Sequence, residues 1–256
     1  MTSALLGYTG FVGGTLARQR RFDDVYNSAN IEQLAGKEYD LVVCAAAPGV
    51  KWKANKEPDQ DLASIRRLMA PFESLTCRKV VLISTVDVYL EPAGCDEDTP
   101  IDRSAGAAYG KHRLMLEDFL AARFDTLVVR LPGLFGKGLR KNVIFDVLTN
   151  NRVDQIVPNA VFQFYDMQNL WRDVLTAQQA GLRLVNFAVE PTSVRSVVAH
   201  AFGVDLPAPD SPQVPRYDMR TKHAAAFGRT GPYLASAQEV LDGVRAFVAG
   251  EGWKWP

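Results

Sequence analysis

The sequence has no excess of charge of either sign. Its 256 residues include 29 Lys and Arg against 29 Asp and Glu, which gives a formal net charge of +0. Proteins that bind DNA or RNA through phosphate contacts usually carry a clustered basic surplus, so this balance predicts no nucleic-acid partner. Hydrophobic residues make up 47% of the chain and charged residues 23%, a composition that is typical of a folded globular protein.

Long apolar runs and paired cysteines are also missing. The longest apolar run, Leu41–Ala47, is far shorter than the roughly 20 residues that a membrane-spanning helix needs. Cys44, Cys77 and Cys95 are odd in number and lack metal-ligand spacing, and the histidines do not cluster. The chain begins in strand-like sequence without a basic-then-apolar leader. We therefore expect a reduced, cytoplasmic protein with no membrane segment and no metal site.

The sequence does contain short apolar runs that alternate with amphipathic stretches. The apolar runs are predicted as strands over Ser3–Leu6, Asp24–Tyr26, Leu41–Cys44, Val80–Ser84, Leu127–Arg130 and Leu184–Phe187. Amphipathic stretches such as Leu62–Leu75 and Leu114–Arg123 have apolar residues three and four apart, which predicts helices. This alternation favours an α/β fold with a doubly wound parallel sheet. Strands become sparse after Pro132, which predicts a small interleaved C-terminal lobe, and the Pro-rich stretch Leu206–Pro215 is predicted as an exposed connection.

The first predicted strand runs directly into a glycine-rich turn. Gly7, Gly10 and Gly13 have the spacing G-x-x-G-x-x-G at a point where a strand would turn into a helix. The first glycine permits a tight turn, the second lets the backbone approach a pyrophosphate, and the third lets the helix pack on the sheet. The helix N-terminus then directs unpaired N–H groups at the phosphates. The turn therefore predicts a dinucleotide site.

Two further motifs follow downstream. The strand predicted over Val80–Ser84 continues into Thr85–Tyr89, and Tyr109 stands near the start of a later helix, four residues before Arg113. Together with the glycine turn, this order resembles the extended short-chain dehydrogenase/reductase family, the NAD-dependent epimerases and dehydratases of nucleotide sugars. Later segments extend the resemblance over nearly the whole chain; they are Arg130–Gly136, Phe164–Val174 and Thr221–Ala224. The resemblance implies a Rossmann sheet and a nucleotide-sugar substrate.

The resemblance assigns catalytic positions to three residues. Thr85 takes the position of the catalytic hydroxyl, Tyr109 that of the catalytic tyrosine, and Arg113 that of the lysine one helical turn later. A free phenol has a pKa of about 10, and a neighbouring cation and the positive nicotinamide are expected to lower the pKa of Tyr109. Tyr109 would then exchange a proton with a sugar hydroxyl as hydride is transferred. Arginine keeps the charge but does not release a proton readily; alternatively, Arg113 only caps or pairs on a surface helix.

The same motifs define the expected cofactor contacts. They are Gly7, Tyr8, Thr9, Gly10, Phe11, Val12, Asn27, Ser28, Ala45, Ala46, Ala47, Tyr109, Arg113, Leu131 and Pro132. Asn27 or Ser28 ends the second predicted strand, where an acidic residue would hold the ribose of NAD and a nearby arginine the phosphate of NADP. Neither an acid nor a following arginine stands there. We predict NAD on the hydrogen-bonding capacity of Asn27 and Ser28, and NADP stays open.

The predicted substrate contacts are Asp87, Lys141, Asn142 and Arg216. Lys141 and Asn142 end a short basic loop that resembles the diphosphate-binding segment of the family, although a basic surface loop fits the sequence equally well. Arg216 matches the family's C-terminal arginine near the nucleotide. Asp87 stands where 4,6-dehydratases carry the second of two adjacent acids, but Val86 replaces the first. We therefore do not expect dehydration, and Asp87 as a solvated loop acid is the alternative.

The resemblance implies a single extended-type unit over residues 1–256. Residues 1–132 and 161–189 would bind the dinucleotide, and residues 133–160 and 190–256 would form a reduced substrate lobe. Trp52–Asn55 is expected in a loop after the third strand, where Trp52 stacks on a ring or packs locally. The expected function is an NAD(P)-dependent oxidoreductase or epimerase; the alternative is a weak or inactive protein that binds the same ligands. Family members often pair through the helices that correspond to Leu62–Leu75 and Leu114–Arg123, which makes a homodimer an expectation.

Overall fold

The computed structural model describes residues 1–206 and 214–253. Most of the connection predicted over Leu206–Pro215, and the last residues of the predicted substrate lobe, lie outside the described residues. The strands are β1 Ser3–Leu6, β2 Asp24–Tyr26, β3 Glu38–Cys44, β4 Thr76–Thr85, β5 Asp125–Leu131, β6 Gly133–Phe135, β7 Val161–Phe162, β8 Phe164–Asp166, β9 Leu184–Asn186 and β10 Thr192–Ser193. The helices are α1 Phe11–Gln19, α2 Lys51–Lys56, α3 Pro58–Met69, α4 Ala108–Ala121, α5 Val143–Leu148, α6 Leu170–Gln179, α7 Val194–Phe202 and α8 Ala237–Gly250.

All six predicted strands are present, with ends that differ by a few residues. The helix boundaries differ more. The stretch predicted as a helix over Leu62–Leu75 begins earlier, at Pro58, and gives way to a 3₁₀ turn over Ala70–Glu73. The segment Trp52–Asn55, expected in a loop, belongs to α2. The segment Thr221–Ala224, whose resemblance to the family is to the start of a C-terminal helix, leads only to a short 3₁₀ turn over Ala224–Phe227.

The chain divides into two compact units. Unit 1 comprises Met1–Glu91, Asp98–Arg130 and Leu170–Val185, and unit 2 comprises Pro92–Glu97, Leu131–Asn169 and Asn186–Pro256. Unit 1 contains the large sheet, and unit 2 contains the two-stranded pairs β6–β8 and β7–β10.

The sheet of unit 1 is six-stranded and parallel, in the order β2-β1-β3-β4-β5-β9, with helices on its faces. The predicted doubly wound α/β fold is therefore confirmed. The standard dinucleotide-binding order, 3-2-1-4-5-6, has two strands on one side of β1 and three on the other. Here β2 is an edge strand and the chain crosses β1 to form β3. The order thus reverses between β1 and β3, and ligands of open α/β sheets bind at such a point, outside the carboxyl ends of the strands.

One face of this sheet packs on α3 and α4. Alternate strand residues point to the same side, so Leu6, Val42 and Leu82 form one apolar surface, which is covered by Ile65 of α3 and Leu120 of α4. This packing of apolar side chains holds the two helices beside each other on the sheet, and the candidate catalytic residue Tyr109 lies on the second of them.

A buried polar network joins α4 to the strands beneath it. The guanidinium of Arg130 on β5 donates to Glu117 on α4 (Nη2 to Oε2, 2.6 Å) and to the Tyr89 hydroxyl (2.9 Å). The Ser84 hydroxyl donates to the same glutamate. Arg130 and Glu117 are 4% and 5% exposed, so each charge needs the other as its partner.

Unit 2 is built on short elements with explicit caps. Helix α7 is capped by the Ser193 side chain, and α8 by a capping box between Ser236 and Glu239. Between β7 and β8 stands the buried Gln163, whose amide donates to the carbonyls of Val189 (2.5 Å) and Met219 (2.7 Å). No helix in residues 1–206 or 214–253 has the length and apolar character that crossing a membrane requires.

Gly13 permits α1 to pack on the glycine turn. A Cβ at residue 13 would lie 2.1 Å from the carbonyl oxygen of Gly7, whereas a Cβ at the adjacent Gly14 would lie 3.3 Å from its nearest neighbour. Gly13→Ala is therefore expected to destabilise the protein by about 1–3 kcal/mol through overpacking. The matched control Gly14→Ala gains up to about 1 kcal/mol of helix propensity, which offsets its milder contact, so its stability should stay close to that of the wild type. Thermal unfolding of both variants checks this; equal melting temperatures would contradict it.

Candidate active site

The glycine turn lies at the carboxyl ends of β1 and β3, in unit 1. Gly7 has a φ of +87°, in the region that favours glycine, and its N–H donates to the carbonyl of Tyr26 (2.7 Å). A Cβ at residue 7 would lie 2.4 Å from the carbonyl oxygen of Ala45. The turn and the stretch Ala45–Ala47 are therefore in close contact, and both predicted cofactor segments meet at the strand-order reversal.

The start of α1 has unpaired backbone donors. Gly10 is the N-cap, no side chain accepts from the first turn, and that turn contains no acidic residue. Thr9 and Gly10 are exposed, while Phe11 and Val12 are half-buried. Free N–H groups and the positive end of the helix dipole suit an anionic group such as a pyrophosphate. The residues present therefore fit the phosphates of a dinucleotide.

The end of β2 is tied to the glycine turn by side chains. The amide of Asn27 donates to the Tyr8 hydroxyl (3.2 Å), and its oxygen accepts the N–H of Ala29 (2.8 Å). The backbone carbonyl of Ser28 accepts from Arg67 of α3 (3.1 Å), whose guanidinium also pairs with Glu32 at 2.5 Å. Arg67 is thus an arginine beside the residues predicted to contact the adenosine ribose. The sequence did not reveal it, since it stands about forty residues away from Ser28 along the chain.

The candidate catalytic pair meets between β4 and α4. Thr85 is the last residue of β4, and its side chain lies close enough to the Tyr109 phenol to lower the pKa of that group. The approach requires Gly110, because a Cβ there would lie 2.3 Å from the carbonyl oxygen of Asp87. Asn55 of α2 accepts the Tyr109 backbone N–H (3.0 Å). The first turn of α4 is thus held against the strand end from two sides.

The pKa of Tyr109 is raised, whereas it was expected from the sequence to be lowered. Burial is the largest influence and raises its pKa, while the Arg113 charge lowers it and the Asp87 charge raises it. The Thr85 side chain and the Lys51 charge also lower the pKa of Tyr109, but the net direction is upward. In the protein alone, then, the cation beside Tyr109 offsets only part of the cost of burying a phenolate.

Arg113 is buried, not a surface residue. It is 2% exposed, and its guanidinium carbon lies 4.0 Å from the centroid of the Tyr109 ring. Its terminal nitrogens donate to both carboxylate oxygens of Asp61, to the Pro48 carbonyl (2.5 Å) and to the Tyr109 carbonyl (3.1 Å). Asp61 also pairs with His112 Nδ1 (2.7 Å). Arg113 therefore pairs in the protein interior, whereas the alternative placed this pairing on a surface helix. Asp61 and His112 are partners that the sequence did not indicate.

Two other cationic residues have defined positions. Lys111 is the lysine nearest in sequence to position 113, where the family has lysine. Its ammonium donates to the Ser104 carbonyl (3.0 Å), so it does not take the place of that lysine. Lys51 of α2 pairs with Asp87 (2.6 Å), whose side chain is 22% exposed. Asp87 is accordingly a partly exposed acid that pairs with Lys51 and acts on the pKa of Tyr109 through its charge.

The remaining predicted contacts belong to unit 2. Leu131 is buried at the end of β5 and Pro132 follows it half-buried. Asn142 caps α5: its side-chain oxygen accepts from the N–H groups of residues 144 and 145, and its amide donates to the Leu134 carbonyl (2.8 Å). Lys141 and Arg216 are exposed. The side chain of Asn142 is thus engaged in a structural role.

Comparison with solved structures shows what this fold is similar to. A dTDP-4-dehydrorhamnose reductase from Clostridium acetobutylicum superposes with a TM-score of 0.73 at 17% identity, over 98% of this chain and 100% of that one. MoeE5 in complex with UDP-glucuronic acid and NAD gives 0.74 at 17%, over 98% and 100%. The UDP-glucose 4-epimerase of Thermotoga maritima with UDP-glucose gives 0.71 at 14%, over 97% and 98%. No protein-family model and no curated protein sequence matches the chain.

Asp61→Asn is expected to lower the stability of the folded protein by about 3–5 kcal/mol at neutral pH, because it leaves a buried guanidinium without its counter-charge. Burial raises the pKa of the Asp61 carboxyl, but the bonds from Arg113 and His112 prevail and hold it below its usual value. The stabilisation is therefore present above the ordinary carboxyl pKa of about 3.9 and is lost as pH falls through the depressed value.

The measurement is thermal unfolding of the wild type, Asp61→Asn and the matched control Asp118→Asn at neutral and acidic pH. Asp118 lies on α4 and pairs with Arg103 at the surface (2.6 Å), so its loss is expected to cost less than about 1 kcal/mol. The deficit of Asp61→Asn should shrink on acidification. A small deficit at neutral pH, equal to that of the control, would contradict this account of the pair.

Proposed function

We propose that this chain is an NAD(P)-dependent oxidoreductase or epimerase that acts on a nucleotide-activated sugar. The observation that carries the proposal is the close approach of the start of α4, which bears Tyr109, to the end of β4, which bears Thr85. Both lie in the unit whose sheet also bears the glycine turn. Two observations support the ligand class: MoeE5 is bound to NAD and UDP-glucuronic acid, and the Thermotoga epimerase to UDP-glucose. Membership of the extended short-chain dehydrogenase/reductase family is part of the same proposal.

The cofactor would lie across the reversal between β1 and β3. The pyrophosphate would bind the first turn of α1 at Gly7–Val12, with Ala45–Ala47 alongside and Leu131 and Pro132 as further contacts. Asn27 and Ser28 would hold the adenosine ribose. Because Arg67 contacts the Ser28 carbonyl, it is a candidate partner for the extra phosphate of NADP, and NADP stays an alternative to NAD. The bound dinucleotide supplies the acceptor or donor of hydride. Residues 1–132 and 161–189 form the proposed dinucleotide part, and residues 133–160 and 190–256 the proposed substrate lobe.

Tyr109 would carry the proton. Its phenolate oxygen would accept the proton of a sugar hydroxyl as hydride leaves the sugar carbon during oxidation, and the resulting phenol would return the proton during reduction. Thr85 would orient the same sugar oxygen. The permanent charge of Arg113 behind the Tyr109 ring would favour the phenolate, against the effect of burial. Lys141 and Arg216 are the proposed anchors for the nucleotide diphosphate, and Asp87 acts through its charge at Tyr109.

Tyr109→Phe is expected to lower turnover by about 10²–10⁴-fold, the usual contribution of a positioned acid–base group, while NAD binding stays intact. The measurement is NADH absorbance with a panel of UDP- and dTDP-sugars, together with calorimetric titration of NAD. The matched control is Tyr39→Phe, because the Tyr39 hydroxyl is engaged with Tyr26 and Asp24 away from the proposed proton path. Turnover of Tyr109→Phe at the wild-type rate would overturn the mechanism.

A nucleotide-binding protein without turnover is the second candidate. The commitment of the Arg113 donors to Asp61 and Pro48, and the raised pKa of Tyr109, favour it. Arg113→Lys discriminates between the two. We expect a loss of rate, because lysine cannot make the bidentate contact with Asp61. A gain in rate would instead identify a chain whose catalysis has been impaired by the arginine, and absence of NAD binding would exclude both candidates.

A further inference from the structure

We propose that Asp61 is a positioning residue of the candidate active site, which fixes the Arg113 guanidinium against the face of the Tyr109 ring. Asp61 lies on α3, remote from the motifs that define the site. The inference deepens the proposed function and rests on it for the catalytic meaning of Tyr109. Its test measures the tyrosine itself and requires neither substrate nor turnover.

The contact between the two charged groups fixes the plane of the guanidinium. Nη1 and Nη2 of Arg113 donate to separate oxygens of the Asp61 carboxylate, the second at 2.8 Å. His112 holds the carboxylate through Oδ2 at 2.7 Å. Two parallel bonds fix both the distance and the orientation of an arginine, which a single bond to a point charge does not. Asp61 is 6% exposed, so solvent hardly competes for these bonds.

The remaining contacts of Arg113 complete the clamp. Nη2 also donates to the Pro48 carbonyl, and Nη1 to the carbonyl of Tyr109 one turn earlier on the same helix. With both ends of the fork fixed, the guanidinium carbon comes to lie 4.0 Å from the Tyr109 ring centroid. A cation at this distance over an aromatic face is attracted by the ring quadrupole. Nε is buried without a hydrogen-bond partner, so every hydrogen bond that holds this group comes from its two terminal nitrogens.

Two roles are conceivable for Asp61, and they predict opposite shifts of the Tyr109 pKa when Asp61 is removed. If Asp61 acts only as a counter-charge, its removal leaves the guanidinium in place with its charge unopposed, and the phenolate becomes easier to form. If Asp61 holds the guanidinium in position, its removal lets a buried and unpaired cation leave the ring for solvent. The phenol then loses its cation, and the phenolate becomes harder to form.

The experiment is a titration of the Tyr109 phenol by ¹³C NMR, with the tyrosines labelled at Cζ. The chain has eight tyrosines, and the Tyr109 signal is identified as the one that Tyr109→Phe removes. Asp61→Asn is expected to move this titration to higher pH than in the wild type. The other charges that face Tyr109, Asp87 and Lys51, are unchanged in the variant. The control Asp118→Asn, on the same helix as Tyr109, should leave the titration where it is.

A titration of Asp61→Asn that moves to lower pH, or does not move, would overturn the positioning role. Should Asp61→Asn fail to fold, His112→Phe provides the test, because it replaces a ring by a ring and leaves the ion pair intact while freeing one carboxylate oxygen. It is expected to shift the Tyr109 titration in the same direction by a smaller amount. An unchanged or lowered titration in His112→Phe would overturn the proposal equally. Failure to bind NAD would affect the proposed function alone.

Discussion

The buried ion pair between Asp61 and Arg113 is the contact on which the candidate site depends. It joins α3 to α4, and the other donors of the same guanidinium reach the Pro48 carbonyl and the Tyr109 carbonyl. Because both charges are almost completely buried, neither can be removed without stranding the other. The pair therefore constrains three segments of the chain at once, and it does so directly behind the tyrosine to which the chemistry is assigned.

Close backbone approaches provide the second constraint. A Cβ at residue 7, 13 or 110 would lie within 2.4 Å of a backbone oxygen, so the glycine turn packs tightly on the end of β3 and α4 packs tightly on the turn after β4. These approaches place an open helix N-terminus and the Thr85–Tyr109 pair on one unit.

Much of the fold could be predicted from the sequence, and less of the site. The strands were predictable because β-branched and aliphatic runs alternate with helical periods, and Gly7 and Gly13 because their spacing reflects steric need. The order of the strands in the sheet could not be predicted, because the local sequence patterns of β2 and β3 do not indicate on which side of β1 each strand lies. Asp61 escaped prediction because it meets Arg113 across 52 residues of sequence, and Arg67 reaches Ser28 across 39. No local periodicity encodes such pairs. The roles of the predicted site residues stay predictions.

The most direct test of the whole account is a crystal structure of the protein with NAD. The account predicts the pyrophosphate at the start of α1, against Gly7 and Gly10, and the nicotinamide ring beside the hydroxyl groups of Thr85 and Tyr109, with Arg113 still paired to Asp61. A dinucleotide bound elsewhere, or a complex in which the two hydroxyl groups point away from the nicotinamide, would contradict it.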